Sequence, residues 1–211
     1  MKIRIIQAAS QRSKNPTLEQ WAARAIPKGH EVINFGVFKH SGEPLTYIEA
    51  ALCVSLLLES GAVDFIITGC SSGQGMMLAC NSLPGVVCGY VENPADASLF
   101  GQINHGNAVS YPLGLNWGWA GEINFTETIR ALFHAPFGQG YPPQEARRKQ
   151  RDTEQRKRIN RLCKKRLPDL LPLLEPDLVH AALYYDRVYS YILEHGTNRK
   201  LEEIIRKYRP E

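Results

Sequence analysis

The 211-residue chain lacks cysteine pairs at the spacings that metal sites or disulfide frameworks use: Cys53, Cys70, Cys80, Cys88 and Cys163 are odd in number, and no CxxC occurs. Reduced thiols follow, with Cys53, Cys80 and Cys88 set among apolar neighbours as small buried fillers. No apolar run approaches the ~20 residues of a membrane span, and "MKIRIIQAAS" has too short an apolar core for a signal peptide. The expected compartment is the cytoplasm, without membrane partner or metal. Repeats and low-complexity tracts are missing too. Positive charge is scarce outside one segment: the net charge is +4, yet Arg147–Arg166 holds eleven Lys or Arg against Asp152 and Glu154, so the remainder is acidic. A general nucleic-acid face is not indicated; one basic segment is.

What is present is apolar substance, 44% of the residues, enough for the core of one ordinary domain with an extension. Residues 2–7, 30–35, 63–68, 85–91 and 107–110 are short β-branched or apolar runs flanked by turn residues, hence five expected strands. Between them lie helical patterns: "TLEQWAARAI" with Thr17 as its cap, "LTYIEAALCVSLLLES" ending at Gly61, "GMMLACNSL" ending at Pro84, "PADASLFGQI" with Pro94 in its first turn, and a helix from about Ala120 to Phe133. This alternation predicts an α/β fold, a doubly wound, mainly parallel five-stranded sheet of flavodoxin or Rossmann-like kind with helices on both faces. Such sheets bind ligands at the carboxyl ends of their strands. In the common five-strand order the crevice lies between the first and third strands, so the loops Ala8–Asn15 and Gly69–Gly75 are expected to face one another.

Pro142 and Pro143 mark a change of character. The basic run follows, then "DLVHAALYYDRVYSYILEHG" and "RKLEEIIRKYR" as two further helices. Residues 1–140 read as an α/β domain and 141–211 as a helical extension. Tyr184, Tyr185, Tyr189 and Tyr191 occupy several faces of one expected helix, which implies packing on two partners. Trp21, Trp117 and Trp119 read as packing or interface residues, and Met76 and Met77 as core.

The stretch "ITGCSSGQGMMLACN" joins a strand to a helix through Cys70 and a small-residue loop. Backbone N–H groups and the helix amino end converge there on one volume that favours negative charge. It suits a phosphate, a thiolate or an oxyanion formed in reaction, though plain Gly-containing strand-to-helix turns are also common.

"GHEVINFG" (29–36), "SGAVDFIITGCSSGQGMMLACNSLPGVVCGY" (60–90) and "ASLFGQINHGNAV" (97–109) occur in the order, spacing and context of one family. Over roughly residues 1–140 the chain resembles the ribose-5-phosphate isomerase B and galactose-6-phosphate isomerase family. The resemblance implies a cofactor-free aldose–ketose isomerase, homodimeric or homotetrameric, with active sites shared between subunits and a sugar or sugar phosphate as ligand. It assigns Cys70 as the base beside the carbonyl, Ser72 as the neighbouring hydroxyl, and the amides of Ser71, Gly73, Gly75 and their neighbours as the anion hole for a cis-enediolate. Asn81, Tyr47, Asn104 and Asn107 match its substrate-binding positions.

The family's Asp-His pair after the first strand is replaced here by Ala8 and Ala9, and its ring-opening histidine by Ile103. His105 is a substitute from the same loop, or a surface histidine. For the family's phosphate-binding arginines the candidates are Arg12, Arg147 and Arg148; the alternatives are a loop charge for Arg12 and a solvated helix face for the pair. Three functions therefore stand: an isomerase with Cys70 as base; a non-catalytic sugar- or sugar-phosphate-binding regulator on the same scaffold; and nucleic-acid binding by residues 147–166. The retained thiol favours the first, and the lack of interleaved aromatics disfavours the last.

Overall fold

The computed structural model describes residues 1–37, 44–115 and 117–209. Five strands form where the sequence places them: β1 (Lys2–Ile5), β2 (Glu31–Asn34), β3 (Phe65–Cys70), β4 (Cys88–Tyr90) and β5 (Ala108–Pro112). Every pairing is parallel, in the order β2-β1-β3-β5-β4. The crevice between β1 and β3 is therefore present, but β5 is inserted between β3 and β4. Burial accounts for this: all five residues of β5 are buried, which suits an interior strand, while the three-residue β4 serves as a short edge.

The helices α1 (Asn15–Ala25), α2 (Tyr47–Glu59), α3 (Gln74–Ser82) and α4 (Pro94–Leu99) connect the strands, and α5 (Gly121–Phe133) follows the last of them. Thr17 does not cap α1; the helix starts two residues earlier, with Pro16 in the first turn, where its fixed φ suits helix entry. At α2, Thr46 caps the helix through a reciprocal pair, its hydroxyl accepting from the Glu49 amide at 3.3 Å while the Glu49 carboxylate accepts from the Thr46 amide at 2.6 Å.

Alternation along β1 and β3 splits the core into two layers. Ile3, Ile5, Phe65 and Ile67 pack with α1, α4 and α5 on one face. Ile66 packs on the other with α2, α3 and the C-terminal helices. Of these, α7 (Leu167–Leu170), α8 (Pro176–Leu183), α9 (Asp186–His195) and α10 (Arg199–Tyr208) line that core, while α6 (Ala146–Leu162) runs against the turn Phe100–Asn104. The near-continuous apolar run of α2 is thereby explained: Leu52, Cys53, Val54, Leu56 and Leu57 have no exposed surface, because the sheet covers one side and α8 and α9 the other.

The single helix expected over 177–196 is two, broken at Tyr184–Tyr185. Tyr185 leaves helical geometry, and its hydroxyl reaches the carbonyls of Phe35 and Gly36 at 2.7 and 2.6 Å. Tyr191 meets the fully buried Arg4, whose guanidinium also pairs with Glu31 at 3.1 Å. Asn198 caps α10 and donates to Glu59 O at 3.0 Å, fastening the tail to the end of α2. No described helix is long and apolar enough to cross a membrane.

Candidate active site

β3 ends at Cys70, opposite Pro112 in the ladder. The loop after it is tied on every side: Leu113 N donates to Cys70 O at 3.0 Å, Gly114 N to Ser71 O at 2.7 Å, and Ser110 Oγ to Gly73 O at 2.7 Å. Gly73, at φ +75°, turns the chain into α3. A Cβ there would stand 2.9 Å from the Tyr90 ring and 3.0 Å from Pro112 N, so both the backbone angle and the space require glycine. Ser72 Oγ accepts from Gln74 N at 3.3 Å, and the first-turn amides of α3, which have no intrahelical acceptors, open beside the half-buried Cys70.

The facing wall comes from the loop after β1. Ala8 N donates to Gly69 O at 3.1 Å and Gln11 Nε2 to Ser71 Oγ at 2.6 Å, so the two loops meet as expected. Alanine at positions 8 and 9 leaves this wall without ionisable side chains. Arg12 stands exposed on the 3-10 turn Ala9–Lys14. Beside it Lys14 donates to Leu113 O and lies 5.6 Å from the Trp117 ring, itself stacked on Trp21 at 4.5 Å; burial lowers the Lys14 pKa. Trp119, by contrast, is fully exposed. Tyr47 lies over Gly75, close enough that a Cβ on the glycine would touch its ring at 3.7 Å. Tyr90 lines the floor, its hydroxyl donating to Glu92 at 2.7 Å; burial and that carboxylate push its pKa up to about 12. A half-buried thiol, two serine hydroxyls, convergent amides and a nearby cation thus share the carboxyl end of β3.

The other predicted residues lie elsewhere. Asn104 and His105 immediately precede the Asn107–Ala108 start of β5, at the amino end of the sheet. The steps from Ala108 to Pro112 alone span about 13 Å at ~3.3 Å per residue, so one protomer does not bring His105 to its own Cys70. Asn81 and Asn107 are engaged by backbone: Asn81 exchanges two hydrogen bonds with Cys88, at 2.7 and 2.9 Å, and Asn107 holds Gly85 O at 2.7 Å and Val87 N at 2.8 Å. Both amides brace the α3–β4 connection. Arg148 is paired with Glu145 at 2.5 Å and Asp152 at 2.9 Å on the solvent face of α6, and Arg147 is exposed next to it.

Gln11, Ser110 and Lys157 carry contacts that pattern reading did not single out. Lys157 Nζ lies 3.1 Å from His105 Nδ1, and Arg156 donates to Asn104 O at 3.0 Å. The only signal for them was membership of a polar loop, a buried strand and a basic run.

A sequence profile described as Ribose/Galactose Isomerase matches residues 6–145. The crystal structure of 4-deoxy-L-threo-5-hexosulose-uronate ketol-isomerase complexed with a tartrate superposes with a TM-score of 0.94 at 36% identity, over 99% of each chain. Ribose-5-phosphate isomerase from Vibrio parahaemolyticus gives 0.93 at 34%, again over 99% of each. Type B ribose 5-phosphate isomerase from Trypanosoma cruzi gives 0.63 at 21%, and its match covers 98% of that chain but 76% of this one.

Proposed function

Because the chain belongs to the ribose/galactose isomerase family, we propose that it is an aldose–ketose isomerase acting on an anionic sugar, a pentose or hexose phosphate or a sugar uronate, through a cis-enediolate. The single observation that carries this is the Cys70 loop, where a thiol and the first-turn amides of α3, which have no intrahelical acceptors, share one rim at a strand's carboxyl end. Cys70, as thiolate, removes the proton from the carbon next to the carbonyl. The C–H electrons become the C=C bond and the carbonyl electrons move to oxygen, giving an enediolate whose charge faces the amides of residues 71–75. Return of that proton to the neighbouring carbon, with the hydroxyl proton passing from the oxygen that becomes the new carbonyl to the former carbonyl oxygen, completes the transfer. Ser72 and Ser71 supply hydroxyls beside the two oxygens, and Tyr47 borders the sugar. The steps draw on acid–base groups alone.

The phosphate-or-uronate class rests on two points. Full-length likeness extends to a uronate ketol-isomerase and to a ribose-5-phosphate isomerase alike. The cations near the loop, Arg12 and Lys14, suit either anion. The opposite placement of His105 within one protomer supports a homodimer or larger assembly in which a neighbour supplies it to each Cys70.

The test is hydrogen–deuterium exchange at the carbon beside the carbonyl for ribose 5-phosphate, galactose 6-phosphate, their free sugars and 4-deoxy-L-threo-5-hexosulose uronate. Exchange with one anionic sugar, abolished in Cys70→Ala, is expected. Tight binding of such a sugar without exchange would instead favour the regulator reading.

A further inference from the structure

His105 is held more elaborately than a surface histidine requires. It ends the π-helix Phe100–Asn104 and adopts a left-handed backbone, φ 47° and ψ 50°, which is uncommon for a residue other than glycine. Its ring lies nearly parallel to Phe137, with centroids 6.4 Å apart, and Gly138 passes so close that a Cβ there would be 2.4 Å from Nδ1. From the other side α6 meets this loop residue by residue. Thr153 Oγ1 donates to Ile103 O at 2.6 Å, Arg156 to Asn104 O at 3.0 Å, and Lys157 Nζ stands 3.1 Å from His105 Nδ1.

An ammonium has three donors and no acceptor, so Nδ1 must accept from Lys157. A neutral ring that accepts at Nδ1 carries its proton at Nε2. The ring borders a cleft of about 530 Å³ under the amino ends of the strands, whose walls include Lys157, Arg161, Lys164, Asp64 and Glu59. The charged groups facing the imidazole are Lys157, Arg156 and Glu154 from α6, while the segment 137–138 offers it an aromatic ring and a glycine. Burial first, and Lys157 second, lower the His105 pKa against the opposing pull of Glu154.

We propose that Lys157 is a positioning residue that holds His105 as a neutral imidazole with its proton on Nε2, so that His105 serves as the proton donor to the ring oxygen of a cyclic sugar bound against this cleft. The second half rests on the isomerase reading. In that step the Nε2 proton passes to the ring oxygen as the bond from the anomeric carbon breaks. The proton of the anomeric hydroxyl then returns to the imidazole, and the open aldehyde goes forward to the thiol of the neighbouring subunit.

Nitrogen-15 spectra of histidine-labelled protein test the first half, with His105→Asn identifying the signals, since asparagine tolerates the left-handed backbone. The full chain is expected to show His105 protonated on Nε2, with Nδ1 as acceptor. Lys157→Glu should move the proton to Nδ1 and shift the titration upward, and Lys157→Arg should keep the original spectrum. A His105 spectrum and titration identical in wild type, Lys157→Glu and Lys157→Met would overturn the assignment. For the second half, ribose 5-phosphate, which cyclises, is compared with erythrose 4-phosphate, which cannot close a five-membered ring through its phosphorylated C4 oxygen. A loss of kcat in Lys157→Glu of tenfold or more on the first sugar, and much less on the second, supports ring opening. Equal losses on both overturn it. Absence of exchange by the wild type with every anionic sugar defeats the isomerase reading, and the spectra still decide the Lys157 contact.

Discussion

Gln11 donates through Nε2 to Ser71 Oγ at 2.6 Å, joining the loop after β1 to the loop that carries Cys70. Gln11 is buried, and its amide stands on the wall where Ala8 and Ala9 bring no ionisable group. The bond sets the position of Ser71 without adding charge beside the thiol. A base on this rim therefore works against backbone amides and the more distant Arg12 and Lys14.

Replacement of Cys70 by Ala is expected to lower enediolate formation ~10²–10⁴-fold, the usual contribution of a positioned base. Melting temperature should change little, because Cys70 packs only half-buried at the edge of the core and its loop is tethered by hydrogen bonds that run through backbone. Deuterium exchange on the true substrate checks it; retained full activity would sink the mechanism.

Gly73→Ala tests the amide half of the site. The left-handed backbone costs about 1–2 kcal/mol for alanine, and the Cβ must displace Tyr90 or the Pro112 backbone. Activity should fall steeply even if denaturant titration shows a loss of only that size. A variant with wild-type kcat would show that the turn does not shape the anion hole.

Thiol reactivity should sort the five cysteines. Cys163 is exposed and Cys70 half-buried, whereas Cys53, Cys80 and Cys88 are buried; burial pushes the Cys53 thiol up, and a hydrogen bond with Cys80, then burial, push the Cys88 thiol up. A disulfide reagent is expected to modify two thiols in the native protein and five after denaturation. In Cys163→Ser a single native thiol should remain, protected by an anionic sugar.

The fold's acid side should weaken through two histidines. His30 and His105 both have pKa values lowered below 6.5, with burial the leading cause in each. The unfolded chain then binds protons that the folded chain resists, so their contribution is full above about pH 6.5 and declines as pH falls through it. Melting curves between pH 7.5 and 5 should show a shallower fall in His105→Asn than in the wild type; parallel curves would contradict it.

Strands and sheet-facing helices were legible because apolar runs, glycines and prolines mark them locally, as "VDFIITG" does for β3. Strand order was not, because nothing local distinguishes β4 from β5 except length and complete burial, and those are decided by neighbours. The Cys70 loop was legible through its glycines and serines. The roles of Asn81 and Asn107 were not, since an asparagine that braces backbone carries the same letter as one that awaits a sugar. The break at Tyr184–Tyr185 lay equally beyond periodicity: the pattern on both sides is helical, and a hydroxyl reaching residues 35 and 36 ends it.

Helix α2 is covered on its outer side by residues far along the chain; the Cys53 thiol meets the Ala182 carbonyl across 129 positions. During synthesis at ~5–20 residues per second, its apolar outer face emerges roughly 6–26 seconds before its cover does. For that interval the nascent chain presents Leu, Val and Cys side chains to its surroundings. A chain released after Tyr141 presents them permanently, and it should accumulate with holdase chaperones or in inclusion bodies, not as a smaller working enzyme.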